Sequence, residues 1–170
     1  MSLQKGTYIF ASLSSGQALG QDPTSTKLEI YVLAAGAVPP TWEVVKVENG
    51  NYNLWQAGQQ ARVNQTGNIY LTPAKVVPLE WSILRVVPPL GEKTNHYIIS
   101  LVGGESQQSW FIPYPGASDQ DKKTPVIISE SATLLEIKLV SPEASQMMRD
   151  RLVAITEFTA ELATQFLWLL

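Results

Sequence analysis

The sequence predicts an all-β protein made of three similar units. Three observations lead there. Short runs alternate apolar and polar residues, as half-buried strands do. Glycine, proline, asparagine and serine separate these runs at regular intervals, as in sandwiches and barrels. A tyrosine opens each group of runs, at Tyr8, Tyr52 and Tyr97, so the steps are 44 and 45 residues.

Taken in order, "GTYIFASL", "QALGQ", "LEIYVLA" and "TWEVVKVE" form the first group. "GNYNLWQA", "QARVNQ", "NIYLTP" and "EWSILRVV" form the second, and "NHYIISLV", "SWFIPY", "PVIISE" and "LLEIKLVS" the third. The last run of each group places a large apolar residue, a polar one and an aliphatic one in succession. These are Trp42-Glu43-Val44, Trp81-Ser82-Ile83 and Leu135-Glu136-Ile137. A repeat of this length fits a solenoid or a propeller as well, but propellers typically need at least four blades. Three units of four strands predict a β-trefoil: a six-stranded barrel capped by three hairpins. The apolar members would fill the barrel, as in other closed sheets. Tyr8, Tyr52, Tyr97, Trp42 and Trp81 stand at equivalent places and are expected in the core. Trp55 and Trp110 break the threefold pattern and are the aromatic candidates for a surface site.

After Ser141 the pattern changes. Ser141 can cap a helix and Pro142 suits its first turn. Leu152, Ile155, Phe158, Leu162, Phe166 and Leu169 follow at intervals of three and four, the spacing of one helical face. The domain expectation is therefore a β-trefoil over 1–141 and an amphipathic helix over 142–170. A helix of that span measures roughly 43 Å at 1.5 Å per residue. Its apolar face is the expected interface of a homo-oligomer, with packing on its own barrel and attachment to a membrane or partner as alternatives. Glu157 and Glu161 disfavour a membrane span. A membrane-surface helix usually carries a Lys/Arg-rich face, and here the basic residues, Arg149 and Arg151, lie in the first third.

Composition excludes several functions. The net charge is −3, and no basic stripe argues for nucleic acid. There is no cysteine, which removes disulfides, thiol catalysis and cysteine-ligated metals. The N-terminus lacks the long apolar stretch of a signal peptide, so a cytoplasmic protein is expected. His96 is the single histidine. No zinc-protease, phosphate-loop or nucleophile-elbow motif occurs. The expectation is a protein that is not an enzyme and uses no cofactor or metal. Asn64-Gln65-Thr66 matches a glycosylation sequon, without meaning in the absence of secretion.

Loops carry function on a rigid barrel, and two stand out. The first, "GQDPTSTK", joins strands two and three and ends on Lys27. The second, "PGASDQDKKTP", joins strands ten and eleven and holds Lys122 and Lys123.

"GTYIFASLSSGQALGQD", "PPTWEVVKVENGNYNL", "EWSILRVV" and "NHYIISL" resemble the β-trefoil serine protease inhibitors of basidiomycete mushrooms, the family of cospin and cnispin. The similarity spans about residues 5–140. It implies a cytoplasmic, defence-type protein whose partner is a trypsin-like serine protease. One arrangement in the family places a basic residue between strands two and three, which Lys27 matches, with Thr26 and Leu28 beside it. Another uses a lysine between strands eleven and twelve; Lys122 and Lys123 lie one loop earlier. The predicted C-terminal helix is atypical of the family. Related trefoils are lectins, so sugar binding through Trp110 and Tyr114 is a second expectation. A third is a protein that acts through its C-terminal helix.

Overall fold

The computed structural model describes residues 3–73, 77–87, 95–103, 106–113 and 123–140. The chain divides into two compact units, Met1–Leu139 and Val140–Leu170. The first is described below. The predicted helix over 142–170, with its face of Leu152, Ile155, Phe158, Leu162, Phe166 and Leu169, lies outside the described residues, as do Tyr114 and Lys122.

Twelve strands follow one another in three sets of four. The first set is β1 (Gly6–Ser12), β2 (Leu19–Gln21), β3 (Ile30–Val32) and β4 (Trp42–Lys46). The second is β5 (Tyr52–Gln56), β6 (Gln59–Val63), β7 (Ile69–Pro73) and β8 (Trp81–Arg85). The third is β9 (His96–Leu101), β10 (Ser109–Phe111), β11 (Ile127–Ser129) and β12 (Leu135–Leu139). Each predicted run overlaps one strand, so the alternation marked real elements.

The first and last strands of each set close a ring by antiparallel pairing. Around it run β12–β1, β1–β4, β4–β5, β5–β8, β8–β9 and β9–β12. A closed ring removes exposed edges from six strands. The middle strands form three hairpins, β2–β3, β6–β7 and β10–β11. Isolated bridges join the hairpins in a cycle: Glu29 to Tyr70, Asn68 to Ile127, and Tyr31 to Pro125. Backbone bonds reinforce the joins, Leu71 N–H to Leu28 O at 2.8 Å and Val126 N–H to Ile30 O at 2.8 Å.

The recurring aromatics fill the core. Tyr8, Tyr52, Tyr97, Trp42 and Trp81 are all buried. The Phe10 ring stacks on Trp42 with centroids 5.1 Å apart. Trp110 meets Trp42 and Trp81 edge-to-face, at 5.7 and 5.5 Å. Such pairs add to the stabilisation that burial alone provides. Two indoles also tie the ring to the hairpins: Trp42 Nε1 donates to Leu19 O at 2.9 Å and Trp81 Nε1 to Ala61 O at 3.3 Å.

Trp110 corrects the sequence reading. It is fully buried, so it offers no stacking face to a sugar. The third set carries Leu135 where the first two carry Trp42 and Trp81. The third indole enters the same aromatic cluster from β10 instead. Symmetry is broken in residue type and kept in the filling of the core.

One turn is strained. Ala57 and Gly58 form the two-residue loop between Gln56 and Gln59, and both have positive φ, 50° and 74°. This is a mirror-image hairpin turn, for which Asn-Gly is the favoured pair. Alanine in left-handed geometry costs about 1 kcal/mol or more. Ala57→Asn is expected to raise unfolding stability by about 1 kcal/mol; urea denaturation measures it, and an unchanged midpoint would contradict it.

Candidate functional site

The loop from Asp22 to Leu28 joins β2 to β3. Asp22 opens it with a turn. Ser25 N–H donates to Asp22 O at 3.0 Å, with Pro23 in the second position of the turn. Proline suits that position because its φ is already fixed, and aspartate suits the first. The Asp22 Oδ1 atom accepts both the backbone N–H and the hydroxyl of Thr24, each at 2.8 Å. Ser25 Oγ then accepts the N–H of Lys27 at 3.1 Å. That bond curls the chain at Thr26 and Lys27 rather than leaving it straight. The expected start of β3 at Leu28 moves accordingly to Ile30, with Glu29 held by its bridge to Tyr70.

Thr26, Lys27 and Leu28 are consecutive exposed residues. Both stems of the loop are fixed. Gln56 Oε1 accepts from Gln21 N–H at 2.9 Å, and Leu28 O accepts from Leu71 N–H. Gly20 makes the first stem fit: a Cβ there would lie 2.2 Å from Pro40 Cγ and 2.6 Å from Gln56 Nε2. Only glycine lets β2 pass so close.

Lys123 comes from the β10–β11 loop. Its ammonium pairs with Asp22 Oδ2 and donates to Thr24 Oγ1 at 3.1 Å. The two loops singled out in the sequence are thus joined through Lys123. The Asp22 side chain is 9% exposed, so this carboxylate sits largely out of water.

Beside Lys27 lies an open concavity of about 500 Å³. Its floor comes from all three sets of strands: Glu29 and Tyr31, then Asn68, then Pro125. Tyr31 Oη donates to Glu29 Oε2 at 2.5 Å, and Asn68 Nδ2 donates to Glu29 Oε1 at 2.8 Å. These bonds, with help from the Lys27 charge, hold the Glu29 carboxyl below its ordinary range against the opposing effect of burial. Burial first, then the bond and charge of Glu29, push the Tyr31 phenol up to about 12. Sequence reasoning missed this cluster, because Asn68 lies 39 positions from Glu29.

The sign of the pH effect follows. An unfolded chain ionises Tyr31 near its ordinary value of 10.0, while the folded chain keeps the proton to about 12. Stability contributed by Tyr31 is therefore complete below pH 10 and lost as pH rises toward 12. Glu29 acts at the opposite end: its contribution is present above its unfolded value and lost as pH falls through the depressed folded one. Tyr31→Phe is expected to flatten the alkaline loss in urea midpoints, and an identical loss in both proteins would refute the assignment.

Among the described residues no three His, Cys, Asp or Glu side chains group where a metal ion could sit. His96 lies in β9 opposite Glu136.

No protein-family model matches the chain, and no curated protein matches it in sequence. Solved structures do. A proteinase inhibitor from Coprinopsis cinerea superposes with a TM-score of 0.60 at 19% identity, over 82% of this chain and 100% of that one. A ricin B-like lectin from Macrolepiota procera, solved with lactose, gives 0.60 at 16% identity, over 82% and 99%. Winged bean albumin 1 gives 0.55 at 15% identity, over 81% and 93%.

The fold is a β-trefoil. At these identities the likeness carries the fold alone, and an inhibitor and a lectin share it equally. Function in a trefoil has to be argued from its loops. In this trefoil the loop that presents Lys27 is hydrogen-bonded at its turn and at both stems.

Proposed function

We propose that this trefoil is a reversible, substrate-like inhibitor of trypsin-like serine proteases, with Lys27 as the primary contact and Thr26 and Leu28 flanking it. The observation that carries the reading is an exposed lysine on a loop whose turn and stems are hydrogen-bonded to the domain. A trypsin-like pocket ends in an aspartate and selects a basic side chain. The Lys27 ammonium would enter it, shed water and pair with that carboxylate. Pre-ordering of the loop supports affinity, since less conformational freedom is lost on binding. The same pre-ordering makes an inhibitor of a sequence that a floppy loop would offer as a substrate. Likeness to a fungal proteinase inhibitor supplies a scaffold of the right kind.

Titration of trypsin with the full chain tests the proposal, with a protease of hydrophobic specificity pocket in parallel. Saturable inhibition of trypsin with little effect on the second enzyme is expected. Absence of inhibition across several trypsin-like proteases would overturn the reading.

A further inference from the structure

We infer that the Asp22–Lys123 ion pair is a clamp that positions the Lys27 loop, and that Lys123 is its positioning residue. The inference deepens the inhibitor reading and rests on it for the consequence for inhibition, though not for the clamp itself.

The second hairpin provides the key comparison. At its tip Asn64 Oδ1 accepts the backbone N–H and hydroxyl of Thr66, at 2.9 and 2.7 Å. Asp22 Oδ1 accepts the same two groups of Thr24. Asp22-Pro23-Thr24 and Asn64-Gln65-Thr66 are thus two copies of one turn in two trefoil units, which also explains the sequon-like triplet as turn chemistry. A neutral amide forms the turn in the second unit. The negative charge at Asp22 is therefore not needed for the turn.

That charge has a use in the first unit. Oδ1 is committed to Thr24, and Oδ2 meets Lys123. The Asp22 side chain is nearly buried, so without Lys123 a carboxylate oxygen would be left shielded from water and unpaired, which is strongly unfavourable. Lys123 itself is half exposed, so the bond is screened in part and its effect is moderate. The ammonium also holds Thr24 Oγ1. It thereby fixes two of the residues that precede Thr26 and Lys27, from a strand set about a hundred residues away in the chain. The stems at Gln21 and Leu28 are held by the second unit. All three units consequently anchor the one loop.

The clamp decides between inhibitor and substrate. A held loop keeps its scissile bond in one geometry and stays in the cleft. A loosened loop samples geometries that a protease can cut and release. Two variants separate the clamp from the turn. Asp22→Asn keeps the turn, as Asn64 does, and removes the charge. Lys123→Met keeps the stem of the side chain and removes the ammonium. Lys123→Arg restores the cation.

The experiment incubates each full-length protein with trypsin, reads inhibition by titration, and locates and times cleavage after Lys27 by mass spectrometry. Asp22→Asn and Lys123→Met are expected to weaken inhibition about tenfold and to speed cleavage after Lys27 by a similar factor, with Lys123→Arg close to wild type. Losing both charges together should do little more than losing one, because the two act as a pair. High salt should narrow the difference between wild type and variants. Wild-type rates of cleavage in both single variants would overturn the clamp. A wild type that does not inhibit trypsin overturns the inhibitor reading instead, and the cleavage rates then still decide the clamp.

Discussion

Trypsin is expected to bind the chain at least about a hundredfold more weakly when Lys27 is replaced by alanine. Few contacts in a protein interface carry such weight, and those that do are buried on binding and matched by a partner group. Lys27 is an exposed cation near the end of the anchored loop. Its backbone N–H bonds to Ser25 Oγ, and the substitution leaves that bond in place. Exposed substitutions away from caps and cores usually change stability by no more than about 0.5 kcal/mol. Fold and function therefore separate cleanly in this variant. Lys27→Arg should keep inhibition, since the pocket accepts either cation. Inhibition titrations of the three proteins, with thermal melts alongside, make the comparison. Equal inhibition by wild type and Lys27→Ala would place the contact elsewhere, with Lys122 and Lys123 the next residues to replace.

Trp42→Ala is expected to cost about 4 kcal/mol or more of unfolding free energy. The ring is fully buried, stacks on Phe10 and meets Trp110 edge-on. Its removal opens a cavity among rigid aromatic neighbours that have little freedom to collapse inward. It also strands Leu19 O, which has accepted the indole N–H. Domains of this size have about 5–15 kcal/mol in total, so a large part of the margin disappears. Trp110→Phe should cost less, because the Trp110 N–H has no hydrogen-bond partner among the described residues. Urea denaturation followed by far-ultraviolet circular dichroism measures both. A loss below about 1.5 kcal/mol for Trp42→Ala would contradict this picture of the core.

The barrel was legible because its core repeats. Tyr8, Tyr52 and Tyr97 occupy one role three times, and a period shows in a single sequence. The hairpins were legible for a related reason, since glycine, proline and asparagine mark turns by their own backbone preferences. Trp110 was misread because periodicity compares residue types at a position, whereas packing compares volumes in a layer. An indole supplied by β10 in one unit and by β4 or β8 in the others satisfies the second rule and breaks the first. The turn that opens the Lys27 loop was legible through its turn formers, Asp22, Pro23 and Thr24, while the role proposed for Lys27 came from the family resemblance. The loop's attachment was not legible. Asp22 and Lys123 are an ordinary loop acid and an ordinary loop lysine until the barrel closes and brings their loops together. Glu29, Tyr31 and Asn68 meet for the same reason, through bridges between hairpins that no local pattern encodes.

The pairing of β1 with β12 has a consequence for synthesis. Tyr8 lies opposite Leu139 and Ser12 opposite Leu135, so during synthesis the first strand of the barrel waits for its twelfth. Until then β1 has β4 and the Ala11–Ala18 bridge beside it, and the edge that β12 fills stays open. Long-range pairings of this kind slow folding and expose unpaired edges meanwhile. The nascent barrel is consequently most vulnerable to aggregation just before its final strand emerges. A chain stalled before Leu135 should depend on chaperones in a way that one stalled well beyond Leu139 does not.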